Sequence, residues 1–197
     1  MQLQKAQSIA NNLVNILSLY CEPGRCHIAG SVRRQKPEVK DIEIVCQPLV
    51  EEYKDLFGAV QDSIRNKDFV YSVDILGKAI KGSALHGRYK QIALPQGINL
   101  DLFMPDPADY FRQLTIRTGS AEYVKVEIAK AWRKKGWCGS DKGFRKMEDC
   151  IEHIGPDGKI SWTCANPNPE LPPVWESEKA FFEWLGVHWI DPALRNV

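Results

Sequence analysis

The chain has 197 residues, 44% of them hydrophobic and 26% charged, which excludes a disordered polymer and is enough for one sizeable core or two small cores packed together. Lysine and arginine number 26 against 25 aspartates and glutamates, so the net charge of +1 offers no whole-chain attraction to a polyanion; a nucleic-acid surface would have to come from local clustering. The first twenty residues hold no basic flank and no long apolar run, so neither a signal peptide nor a membrane span is expected, a cytoplasmic location follows, and the six cysteines are expected as reduced thiols.

Leu3, Ala6, Ile9, Ala10, Leu13, Ile16 and Leu17 recur at helical spacing and predict an amphipathic helix lying on a sheet. CHIAGS then reads as a short strand ending in a Gly-Ser turn, and DIEIVC, with β-branched Ile42, Ile44 and Val45, as a second strand across a basic loop. Residues 49 to 67 read as helix. FVYSVDIL, GRYKQIALP and NLDLFMP read as strands, the last two joined as a hairpin through Gln96 and Gly97. After Pro105 the composition changes: DPADYFRQLTIR and SAEYVKVEIAKAWRKKG read as helices, the second capped by Thr118 or Ser120 and stopped by Gly136. A small hairpin at PDGKISW and a closing helix at 176 to 185 complete the chain. The expected class is therefore α+β, a mixed sheet with packed helices over 1–105 and a small, mainly helical second domain over 106–197. Cys150, His153 and Cys164 are zinc-compatible residue types, but without a paired C-x-x-C isolated thiols are expected.

The stretch with most chemical content is Gly30-Ser31-Val32-Arg33-Arg34 followed by Asp41-Ile42-Glu43. On a strand alternate side chains share a face, so Asp41 and Glu43 project together while Ile42 enters the core. Paired carboxylates repel unless a cation separates them, and hard oxygen ligands suit Mg²⁺ shared with a phosphate substrate. Asp101, alone among apolar neighbours in Ile98 to Phe103, is the expected third acid, with a carboxylate free of internal partners. Gly30 and Ser31, in a turn opening a short helix, offer backbone N–H groups and a hydroxyl to a phosphate, with Arg33 and Arg34 beside them.

AGSVRRQKPEVKDIEIV resembles the palm signature of family X DNA polymerases, and LDLFMP resembles the strand bearing that family's third catalytic aspartate. Thr118-Gly119-Ser120 resembles the family's Thr-Gly-Ser motif, and PVWESEKAFFEWLGVHWIDPALRN is similar to the family's ending, so the likeness runs from about residue 10 onward. The resemblance implies a nucleotidyltransferase palm followed by the family's nucleotide-binding domain. It implies two Mg²⁺ ions, for which Mn²⁺ can substitute, held by the catalytic residues Asp41, Glu43 and Asp101. It further implies a nucleoside triphosphate bound by Gly30, Ser31, Arg34, Arg117, Thr118, Gly119 and Ser120. Primed or gapped DNA would lie on a basic helical face carrying Lys125, Lys130 and Lys134.

The expected function is thus a minimal template-directed DNA polymerase, acting as a monomer in repair-like synthesis in the cytoplasm or, for a viral member, in the host cell. A template-independent nucleotidyltransferase is the enzyme alternative; a non-catalytic nucleic-acid-binding subunit is the alternative from another class. The sequence departs from the family at Glu43, where aspartate is usual, at Ile116-Arg117, where an aromatic pair is usual, and at Val124 and Ile128, where the family has base-contacting Asn and Arg. The family's amino-terminal lyase domain is not expected in it.

Overall fold

The structure, a computed structural model, describes residues 1–54 and 60–196. The apolar stripe near the start forms helix α1 (Leu3–Leu17), burying Ala6, Ala10, Leu13 and Leu17. It lies against a five-stranded mixed sheet built from β1 (Cys21–Ile28), β2 (Asp41–Pro48), β5 (Lys78–Gly82), β6 (Tyr89–Ala93) and β7 (Asn99–Phe103), in the order β1-β2-β7-β6-β5. Only the β2–β7 pair is parallel. A single helical turn, α2 (Gly30–Arg33), leads from β1 toward β2.

Alternation along β2 and β7 sends Ile42, Ile44, Leu100 and Leu102 into the core beneath α1. It leaves Asp41, Glu43, Asn99 and Asp101 half-buried on the opposite face. Period-two burial thus fixes which side of the sheet carries chemistry, because a slip of one residue would bury every carboxylate.

Two segments differ from expectation. In 49–67 the described residues form strands β3 (Val50–Lys54) and β4 (Val60–Arg65), paired antiparallel; residues 55–59 of the expected helix lie outside the described residues. FVYSVDIL lies mostly in helix α3 (Lys67–Asp74), not in a strand. The Asn66 side chain accepts from Phe69 N at 3.0 Å, Asp68 sits in the first turn, and Phe69 and Val73 bury together at i,i+4 spacing. The strand follows instead as β5, an exposed edge whose Lys78 and Lys81 disfavour pairing with other chains.

Beyond a 3₁₀ turn at Pro107–Asp109 come α4 (Tyr110–Thr118), α5 (Ala121–Tyr123), a π-helical run at Val124–Ala129, and α6 (Lys130–Lys134). Ser120 caps this composite helix by accepting from Tyr123 N, and Gly136, at φ +76°, ends it. The second half is less helical than expected. Hairpins β8 (Trp137–Ser140) with β9 (Gly143–Lys146) and β10 (Cys150–Ile154) with β11 (Ile160–Cys164) precede α7 (Glu178–Leu185).

Trp132, Trp137, Phe144, Trp175, Phe181, Phe182 and Leu185 form a second core. The Trp137 and Phe144 rings stack at 5.1 Å, and aromatic burial of this kind holds small strand pairs that could not stand alone. A third cluster, Ala29, Val45, Phe103, Tyr110 and Leu114, joins α4 to the sheet's carboxylate face. The class is α+β, and no helix among the described residues is long and apolar enough to cross a membrane.

Candidate active site

Strand register places the acids as neighbours: Glu43 lies directly beside Asp101 across β2–β7, and Asp41 beside Asn99. Burial, with Asp41 and Asp101 adding repulsion against the pull of Arg117 and Arg34, pushes the Glu43 carboxyl up to about 7. Asp41 is also raised, by burial first and then by Asp101. This face therefore stores unfavourable negative charge that a cation would relieve.

Asp101 departs from expectation, because it does have internal partners. Its Oδ1 accepts from Tyr89 Oη and from Gln91 Nε2, each at 2.8 Å. Burial and the bond to Asp101 raise Tyr89 to about 12, so it remains a donor at neutral pH. Gln91 is the direct β6 neighbour of Asp101, and Tyr89 stands beside Phe103.

Gly30 adopts φ +58°, and a Cβ there would come within 1.8 Å of Glu43 Oε2. The glycine is therefore required twice, for a left-handed backbone and for space occupied by Glu43. Ala29 N donates to Glu43 O at 2.8 Å, tying the turn to the carboxylate strand. Because α2 is only one turn long, the expected help of a helix dipole is weak here. Ser31 Oγ is shielded from solvent and makes no hydrogen bond among the described residues, the condition of a group awaiting a partner.

Two cavities meet at Glu43 and Arg117. One, of about 400 Å³, is lined by Ser31, Arg34, Asp41, Ile116, Gly119 and Ser120 together with those two residues. The other, of about 560 Å³, lies on the Asp101 side and includes Tyr89, Phe103, Lys81, Arg88 and Gln113. The Arg117 guanidinium stands 4.1 Å from the Phe103 ring centroid, and its buried Nε has no hydrogen-bond partner among the described residues.

Thr118 belongs to neither cavity. Fully buried, it accepts from Arg33 through Oγ1 at 2.7 Å and from Arg34 through its carbonyl at 2.5 Å, which ties it to the two arginines of the Gly-Ser turn. Arg34 also donates to Asn196 Oδ1 at 3.0 Å while lining the smaller cavity. Arg33 continues the tie, gripping Glu178 at 2.9 Å and 3.1 Å; Arg195 grips the same carboxylate at 2.6 Å and 3.1 Å. Burial raises the Glu178 carboxyl, but the Arg195 and Arg33 guanidiniums outweigh that effect and hold it at about 2. Glu178 was not apparent as their common partner because it meets Arg33 and Arg195 only through tertiary packing.

Lys125, Lys130 and Lys134 are all exposed. A π-helical run bonds i to i+5 and has more residues per turn, so Lys130 lies nearer to the face of Lys125 than the about 140° of separation an α-helix would impose. Lys134 follows four residues after Lys130 on the same face. Lys130 and Lys134 therefore share one side of the composite helix, with Lys125 one π-helical turn before them.

Cys150 and Cys164 face each other across β10–β11, but His153 projects from the other side of its strand, so no zinc set forms there. All six cysteines are free thiols. Among the described residues no three His, Cys, Asp or Glu side chains already converge as a metal-holding group. In donor type, Asp41, Glu43 and Asp101 nevertheless fit a hard divalent cation: carboxylates on adjoining strands, two of them raised by burial first and then by a neighbouring carboxylate.

No protein-family model matches the chain, and no curated protein matches it either.

Proposed function

We propose that this chain is a nucleotidyltransferase with a family X-type palm, acting as a minimal template-directed DNA polymerase. The observation that carries the reading is the placement of Asp41, Glu43 and Asp101 on one sheet face, with Glu43 in the wall shared by two cavities. A nucleoside triphosphate occupies the smaller cavity, where Ser31 Oγ supplies an uncommitted hydroxyl and Arg34 supplies positive charge. Ile116 and Gly119 also line it. The primer's 3′-hydroxyl approaches from the larger cavity, beside Asp101.

Asp41, Glu43 and Asp101 would hold Mg²⁺. Two such ions, or Mn²⁺ in their place, would lower the cost of deprotonating the attacking hydroxyl and stabilise the departing pyrophosphate. With Asp101 beside the attacking oxygen, the hydroxyl proton passes to solvent as a new bond forms to the α-phosphate and the bond to the β-phosphate breaks, releasing pyrophosphate. Lys125, Lys130 and Lys134 meet DNA phosphates.

A template-independent transferase is favoured by one observation: Val124, with no polar group to offer a base, lines the nucleotide cavity. A gel assay of nucleotide addition separates the readings, using a primed template, the unprimed strand and each nucleotide singly. Addition of only the templated nucleotide is expected. Indiscriminate addition to the unprimed strand selects the second reading. DNA binding without any addition would leave a non-catalytic binding subunit.

A further inference from the structure

Asp101 is held through one carboxylate oxygen by two donors, and both donors are uncharged. Tyr89 Oη and Gln91 Nε2 each lie 2.8 Å from Oδ1. Oδ2 takes no hydrogen bond among the described residues. Cations stand nearby, since Lys81 and Arg117 line the same cavity, while Arg88 there is paired with Asp106 at 2.9 Å. An arginine partner would have neutralised the carboxylate; two neutral donors fix its direction while leaving its charge in place.

Both donors are themselves held. Gln91 is the cross-strand neighbour of Asp101 in the antiparallel β6–β7 pair, a position that neither residue can leave without breaking the ladder. Tyr89 packs its ring against Phe103 with centroids 5.2 Å apart, so the hydroxyl reaches diagonally to Asp101 from a braced platform.

The geometry points to Tyr89 and Gln91 as the positioning pair of the third carboxylate: by holding Oδ1 they leave Oδ2 as the oxygen offered to a divalent cation. This rests on the two-metal reading of the site. Neither residue touches the triphosphate side, because Tyr89 lines only the larger cavity and Gln91 lines neither.

The test is Mn²⁺ titration of the protein alone, followed by electron paramagnetic resonance, for wild type, Tyr89→Phe, Gln91→Leu, Asp101→Asn and the Tyr89→Phe/Asp101→Asn double variant. Tyr89→Phe keeps the ring on Phe103 and so serves as the variant that preserves the fold. It is expected to weaken Mn²⁺ binding about tenfold, as loss of an outer-sphere partner does, and Gln91→Leu to do likewise. Triphosphate affinity measured without divalent ions is expected to stay at the wild-type value. In the Asp101→Asn background Tyr89→Phe is expected to have no further effect on Mn²⁺. Wild-type Mn²⁺ affinity in Tyr89→Phe and Gln91→Leu would overturn the inference, as would an equal loss in the Asp101→Asn background. If neither Asp41→Asn nor Asp101→Asn alters Mn²⁺ binding, the two-metal reading falls together with it.

Discussion

At the scale of single residues, Gly30 and Glu43 act as one unit. The left-handed backbone at Gly30 would cost a side-chain-bearing residue about 1–2 kcal/mol by itself, before any clash with the Glu43 carboxylate. Gly30→Ala is therefore expected to lower the melting temperature and also to displace Glu43, cutting nucleotide addition more than the stability loss explains. A thermal melt and a turnover assay on the same preparation check this. Asp41→Asn and Asp101→Ala are expected to reduce addition by at least about 100-fold, the scale of losing one group from a preorganised electrostatic site, with the fold retained. Turnover near wild type in either variant would remove that carboxylate from the reaction. Asp41, Glu43 and Gly30 were legible in the sequence because they lie within one strand and the turn before it, where period-two geometry acts locally. Tyr89 and Gln91 were not, because their meeting with Asp101 depends on register across β6–β7. The signal was present in the turn at Gln96 and Gly97: pairing Ala93 with Asn99 brings Gln91 opposite Asp101.

At the scale of elements, the misread segments show local signals competing. FVYSVDIL is rich in β-branched and aromatic residues, but the Asn66 cap and the i,i+4 burial of Phe69 and Val73 decide for helix α3. In Val50–Lys54 and Val60–Arg65 antiparallel pairing prevails over the helical tendency of the acidic run at Glu51 and Glu52. The composite helix from Ala121 to Lys134 was legible in extent but not in phase, since nothing in its composition announces a π-helical turn. That turn matters for the proposed DNA surface because it brings Lys130 nearer to the face of Lys125 than an α-helix would. Replacing Lys125, Lys130 and Lys134 by Glu is expected to weaken binding to a primed template and flatten its salt dependence, the logarithmic slope falling by about 0.9 for each duplex phosphate no longer neutralised. A binding titration across salt concentrations measures it; an unchanged slope would put the nucleic acid on another face.

At the scale of the whole molecule, the Glu178 cluster joins the Gly-Ser turn of the first half to α7 and the segment around Arg195. Arg33, next in sequence to Arg34 of the smaller cavity, is thereby held by a residue more than a hundred positions away. Removing one partner of such a buried set costs about 3–5 kcal/mol, because charges are left unpaired, and Glu178→Gln is expected to destabilise by that order at neutral pH. The carboxyl's folded pKa of about 2 lies below its ordinary 4.5, so its stabilisation is fully present above about pH 4.5 and is lost as pH falls toward 2. The gap in urea midpoint between wild type and Glu178→Gln is accordingly expected to narrow over that window; a gap independent of pH would contradict the assignment. Such long-range ties escape a reading of the sequence, whereas the α+β class and the order of its motifs do not.

The most direct test of the account is the simultaneous measurement of primer extension and pyrophosphate release by the purified protein with a primed template, the complementary deoxynucleoside triphosphate and Mg²⁺. One pyrophosphate released for each nucleotide added, with both signals lost in Asp41→Asn, is the predicted result. An unextended primer with no pyrophosphate, or extension that survives in Asp41→Asn, would contradict it.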